Sequence, residues 1–205
     1  GQYYMCGACN ISMGQNTMQG TSTAADNIGH SNIALGNSAM FYQKTGCYNI
    51  GLGYQALYGA AAGTTGNYNH AFGYQAGKSL TSGASNLFLG TQTGMNVITG
   101  TGNAFVGNSA GRCMCSGGYN VALGYLTLQG STTVSSNTGA YNIALGFCAA
   151  AGVTSGGCNF ISGYNAGLKL TSASHNVFMG TNAGCCVTTG AENIAIGKDS
   201  MSSAT

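Results

Sequence analysis

Apolar and polar positions along the chain recur in a five-residue unit: Asn, three mostly apolar residues, then Gly. The unit occurs eleven times, beginning at Asn10, Asn32, Asn49, Asn69, Asn86, Asn103, Asn120, Asn142, Asn159, Asn176 and Asn193. Seven of the ten intervals are 17 residues; the others are 22, 20 and 22, the same unit with a short insertion. With the Asn as position 0, position 1 is apolar throughout except at His70, position 3 is apolar except at Ser162, and position 4 is always Gly. Short β-branched and aromatic runs bounded by Gly predict a strand of about five residues, not a helix.

Seventeen residues are too few for the helix-containing units of most solenoids. Position 11 supplies a second apolar point (Leu80, Val97, Met114, Val153, Leu170, Val187), which predicts a half-buried second strand. Small pairs at positions 7 and 8, such as Ala76-Gly77 and Ala183-Gly184, suit the corner between the two. The fold expected is therefore all-β: a parallel β-solenoid of about eleven 17-residue coils. It forms a single domain over residues 1–205 with repeats from Asn10 to about Met201, and reads as part of a longer fibre.

Position 2 changes the picture. Strand side chains alternate between two faces. If positions 1 and 3 fill the chain's own core, position 2 should face water and be polar. It reads instead Ala34, Ala71, Phe88, Phe105, Ala122, Ala144, Ile161, Phe178 and Ala195, with Ser12 and Gly51 as the mild cases. A strand apolar on both faces is usually covered on both. These nine residues are therefore expected to form an oligomer interface, most simply around a symmetry axis. The position-0 residues Asn32, Asn49, Asn69, Asn86, Asn103, Asn120, Asn142, Asn159, Asn176 and Asn193 are expected to stack as an amide ladder. Gly at position 4 is expected to supply positive φ or close backbone approach.

The unit Asn-Ile-Ala-Leu-Gly at residues 32–36 and 142–146, and Asn-Ile-Ala-Ile-Gly at 193–197, resembles the head repeats of trimeric autotransporter adhesins. The longer run Asn69-His70-Ala71-Phe72-Gly73-Tyr74-Gln75-Ala76-Gly77 is similar to repeats of phage and viral tail-fibre proteins. The resemblance spans Asn10 to Gly197 and implies a trimeric, left-handed β-roll on a surface appendage, outside a cell or on a virion, that contacts a host or another cell. A longer repeat and no visible coiled-coil stalk or membrane anchor favour the tail-fibre or free-filament version. Two alternatives stand beside it: a self-polymerising extracellular filament, and an ice- or glycan-binding solenoid.

Composition narrows the function classes. Only 4% of residues are charged, against roughly 25% in ordinary domains, while 44% are apolar. A net charge of +2 gives no case for nucleic acid. No apolar run approaches the ~18 residues of a membrane span, so no membrane insertion is expected.

Catalysis is not expected either. The three acidic residues are Asp26, Glu192 and Asp199, and His30, His70 and His175 fall in different coils. His70 is expected to be a hydrogen-bonded core residue. Tyrosines flank the strands (Tyr48, Tyr68, Tyr119, Tyr141 before the Asn; Tyr54, Tyr74, Tyr125, Tyr164 after the Gly) and suit a packed corner ladder with bonded hydroxyls, with sugar stacking as the alternative. Hydroxyls at positions 12 and 13, among them Thr81, Thr154, Thr171 and Thr188, suggest an ice-binding array, but position 10 is irregular. Nine cysteines include a lone Cys6-x-x-Cys9 and never share a position on adjacent coils. They are expected to be mostly small buried residues, without metal or cofactor.

Overall fold

A computed structural model describes residues 7–133 and 136–203. Its strands are Ile11–Met13 (β1), Ile33–Leu35 (β2), Ile50–Leu52 (β3), His70–Phe72 (β4), Leu87–Leu89 (β5), Ala104–Val106 (β6), Val121–Leu123 (β7), Ile143–Leu145 (β8), Phe160–Ser162 (β9), Val177–Met179 (β10) and Ile194–Ile196 (β11). They form one 11-stranded sheet in chain order, every pair parallel. Position 1 pairs with position 1 and position 3 with position 3, as in Ile50↔His70↔Leu87. The chain is a parallel β-solenoid with one coil per repeat.

Each strand is three residues long, shorter than the five expected, because both of its ends leave β geometry. The residue before the Asn is left-handed, as at Tyr48 (φ 58°), and the Gly after position 3 has φ 130° at Gly53. Stacked position-4 glycines also touch: a Cβ on Gly36 would lie 2.7 Å from the Gly53 carbonyl oxygen. Both roles expected of this glycine, positive φ and close approach, are present together.

Opposite the sheet, no second strand forms among the described residues. Coil-to-coil backbone bonds do continue there, such as Thr81 N–H to the Ile98 oxygen (2.9 Å) and Thr171 N–H to the Thr188 oxygen (2.9 Å). An isolated bridge joins Gln43 and Thr64. The position-11 side chains Leu80, Val97, Met114, Val153, Leu170 and Val187 are buried rather than half-buried.

The first and seventh coils carry corresponding insertions, each closed by a buried Asn. Asn27 Oδ1 accepts from Thr21 N–H (2.9 Å) and its amide donates to the Thr21 oxygen (3.1 Å). Asn137 Oδ1 accepts from Ser131 N–H (3.1 Å), while its amide donates to the oxygens of Ser131 (2.7 Å) and Cys113 (2.8 Å).

Candidate functional site

The asparagine ladder fixes which way each strand faces. Asn103 is representative: its N–H and Nδ2 donate to Asn86 Oδ1 (2.9 and 3.1 Å), and Nδ2 also donates to the Gly117 oxygen (2.9 Å). Its own Oδ1 accepts from Asn120 N–H (2.9 Å) and Nδ2 (3.1 Å). Backbone N–H to Oδ1 bonds run without a break from Asn10 through Asn193. The expected ladder is thus present, and over most of its length it is buried. A buried amide at position 0 turns that side chain inward. Alternation then turns position 2 inward and positions 1 and 3 outward.

The expected interface residues are therefore misplaced. Ala34, Ala71, Phe88, Phe105, Ala122, Ala144, Ile161, Phe178 and Ala195 are 0–3% exposed within the single chain. They pack against its own position-7 alanines and position-11 side chains and cannot meet a second copy. The residues expected to fill the core lie outside instead. Every position-1 and position-3 side chain is half-buried or exposed, Leu89 at 44% and Leu123 at 49%. His70 belongs to this outward set and is exposed, not a core histidine.

One signal in the sequence points to this orientation. In nine of the eleven coils position 8 is large where position 2 is small, and Gly where position 2 is large: Ala34 with Met40, Gly51 with Leu57 and Ala122 with Leu128, against Phe88 with Gly94, Phe105 with Gly111 and Phe178 with Gly184; Ala71 with Gly77 and Ala144 with Ala150 are small at both. Such compensation is expected of two residues filling one interior volume.

The outward face of the sheet is thus a double rank of apolar side chains rimmed by aromatic rows. Tyr48 stacks on Tyr68 (centroids 5.1 Å), Tyr54 on Tyr74 (5.3 Å) and Tyr119 on Tyr141 (5.2 Å). Phe147 lies between Tyr125 (5.2 Å) and Tyr164 (5.1 Å). The rows are ladders, as expected, yet each of these rings is exposed, not packed into a corner. Stacking covers one face of each ring in these pairs and both faces of Phe147. Tyr119 also lies over Gly102, where a Cβ would come within 2.8 Å of its Cδ1.

The threonine hydroxyls are engaged internally too. Thr81 Oγ1 donates to the Ile98 oxygen (3.0 Å), Thr154 Oγ1 to the Thr171 oxygen (3.3 Å) and Thr171 Oγ1 to the Thr188 oxygen (3.0 Å). These hydroxyls are spent on the next coil, which weakens the ice-binding alternative.

The scattered ionisable groups do not converge. Asp26 pairs with Lys44 (3.1 Å). Asp199 accepts from Asn182 Nδ2 (2.8 Å). His30 packs edge-on against Tyr48 (5.2 Å). No three His, Cys, Asp or Glu side chains gather at metal-binding distance among the described residues.

Cys6 lies outside the described residues. Of the other cysteines only Cys113 is buried, while Cys9 and Cys158 are exposed and the rest are half-buried. This corrects the expectation that most would be core residues. Burial pushes the Cys148 and Cys185 thiols upward, and the adjacent Cys186 adds to the shift at Cys185.

No family model, curated protein or solved structure matches the chain. The class that the fold defines is the parallel β-solenoid repeat protein.

Proposed function

We propose that the chain is a structural and adhesive segment of a surface fibre, assembled from copies of itself that share the outward sheet face, with a trimer as the form that the resemblance of its repeats implies. It would act outside a cell or on a virion surface. The stiff stacked body would project a binding end toward a host receptor or surface glycan.

The observation that carries this reading is the apolar face, which runs the length of the sheet and is interrupted only at His70 and Ser162. Eleven strands at about 4.8 Å spacing, with the flanking ranks at about 3.3 Å per residue, give roughly 50 Å by about 20 Å, on the order of 1,000 Å². That exceeds the ~300–600 Å² typical of the largest patch on a soluble monomer. It also matches the ~800 Å² that each partner contributes to a standard interface. Positions 1 and 3 contain no carboxylate, lysine or arginine in any coil, so copies facing each other there bring no repelling full charges. A second copy fits this face better than any other occupant because both surfaces carry the same ranks at the same repeat. The surface-fibre assignment rests on the resemblance of the Asn-Ile-Ala-Leu-Gly units.

Native mass by light scattering tests the shared face. The expected result is an oligomer for the unmodified chain and a folded monomer for a Leu89→Lys, Leu123→Lys double variant. A folded, stable monomer of the unmodified chain sinks the reading.

A further inference from the structure

His70 is the one ionisable side chain on the outward ranks at positions 1 and 3, which otherwise carry apolar residues and Ser162. It occupies position 1 of β4 and is exposed, with Ile50 of β3 and Leu87 of β5 as its register neighbours. Those two strands present Ile50, Leu52, Leu87 and Leu89 on the same side, so neither offers a carboxylate. The flanking rows of these coils supply only the phenols of Tyr48, Tyr68, Tyr54 and Tyr74. Elsewhere in the chain, Asp26 is engaged with Lys44, and Glu192 and Asp199 belong to the last coil. An imidazolium here therefore has no anion to pair with in its own or the adjacent coils, nor in a copy stacked against it coil for coil.

We propose that His70 makes assembly through the sheet face pH-dependent: copies associate with its imidazole neutral and separate when it is protonated. The proposal rests on the shared-face reading of the preceding section. In the single chain the ring is exposed to water. Covered by a second apolar face, the cation would lose its hydration with no partner in return, which is strongly unfavourable. The assembled state then binds fewer protons than the separated one. By linkage, association weakens as pH falls through the range where a histidine titrates, by about tenfold per pH unit for each covered copy. The other two histidines, His30 and His175, are exposed as well, and comparison with the His70→Leu variant separates their effect from that of His70.

The test is sedimentation velocity on the full chain at about pH 7.5 and about pH 5, which bracket histidine titration. The unmodified chain is compared with His70→Leu and His70→Arg. Both substitutions alter an outward residue and leave the core untouched. The unmodified chain should be oligomeric at the higher pH, with a dissociation constant at least roughly tenfold larger at the lower one. His70→Leu should associate equally at both, and His70→Arg weakly at both. Equal association of the unmodified chain at the two pH values overturns the proposal. So does a His70→Leu variant that dissociates in acid as the unmodified chain does. If both the unmodified chain and His70→Leu are monomers at the higher pH, the shared face itself fails, a separate outcome from failure of the switch.

Discussion

Gly184 lies directly against the ring of Phe178: a Cβ built on it would sit 2.6 Å from Phe178 Cδ2, and its φ is +60°. The two residues, six apart, fill one volume between sheet and corner. In the second coil the same volume is filled the other way round, by Ala34 and Met40, with Met40 at φ 50°. A left-handed non-glycine is therefore tolerated at this corner, and steric overlap is what requires Gly opposite Phe. Gly184→Met should destabilise by about 2–3 kcal/mol through overpacking, and Phe178→Ala by about 3–5 kcal/mol through a cavity. The double variant, which copies the second coil, should lose at least ~1 kcal/mol less than the sum of the two. Urea denaturation of the three variants measures the coupling; strict additivity would show that the two side chains do not share a space.

The asparagine ladder makes a second, pH-dependent prediction. Asn103→Ala removes the acceptor of two bonds from Asn120 and the donor to the Gly117 oxygen, so it should cost about 2–4 kcal/mol. Asn103→Asp keeps the shape, but a buried carboxylate can only accept. Burial raises the folded-state pKa of such a group above its unfolded value. Any stability held by the protonated form is present below the unfolded pKa and is lost as pH rises through the folded one. The Asp variant should thus be more stable at about pH 4 than at neutrality, where it should lose ~3 kcal/mol or more. Chemical denaturation at the two pH values decides it; no difference would mean that the site takes up water.

The period, the insertions, the ladder and the position-4 glycines are legible in the sequence because each is a one-dimensional repeat that stacking turns directly into contact. Orientation is harder to read. Positions 1 and 2 are both apolar, so alternation alone gives two equally good assignments, and the one with positions 1 and 3 as core puts Phe88, Phe105 and Phe178 on the wrong side. What separates the assignments is the buried amide of the Asn and the inverse sizes at positions 2 and 8, a correlation between residues six apart that no single strand displays. The second strand expected at Leu80 and Val97 fails for a related reason. Burial at one position per coil requires a turn that points inward, not an extended ladder. The stapling of the insertions by Asn27 and Asn137 shows only when the loops close.

Gln43 holds position 11 of the second coil, where six other coils place Leu, Val or Met, and it is fully buried. Its Nε2 donates to the Gly46 oxygen (2.7 Å), but its Oε1 has no protein partner. The Gly46 oxygen also accepts from Asn32 Nδ2 (2.9 Å), so it stays bonded if Gln43 is replaced. Gln43→Leu should therefore stabilise by about 1 kcal/mol. For a chain of this size that corresponds to a Tm higher by roughly 2–4 °C. Calorimetry showing a lower Tm would mean that the Gly46 bond outweighs the orphaned acceptor.

Orientation of the strands has the most direct test in two adjacent residues of β6. Phe105 is fully buried and Val106 is half-buried on the outward face, so the same substitution at neighbouring positions should have opposite consequences. Phe105→Lys places an ammonium among Phe88, Ala122 and Met114 with no partner, and should abolish cooperative folding, at a cost of about 4 kcal/mol or more. Val106→Lys directs the same group away from the core, where its stem can lie along the sheet and its charge can reach water. It should change the stability of the isolated chain by no more than about 0.5 kcal/mol. Circular dichroism and limited proteolysis at low protein concentration read the fold apart from any assembly. If Val106→Lys unfolds the chain while Phe105→Lys leaves it folded, the ladder asparagines would have to point outward, and the shared face would pass back to position 2.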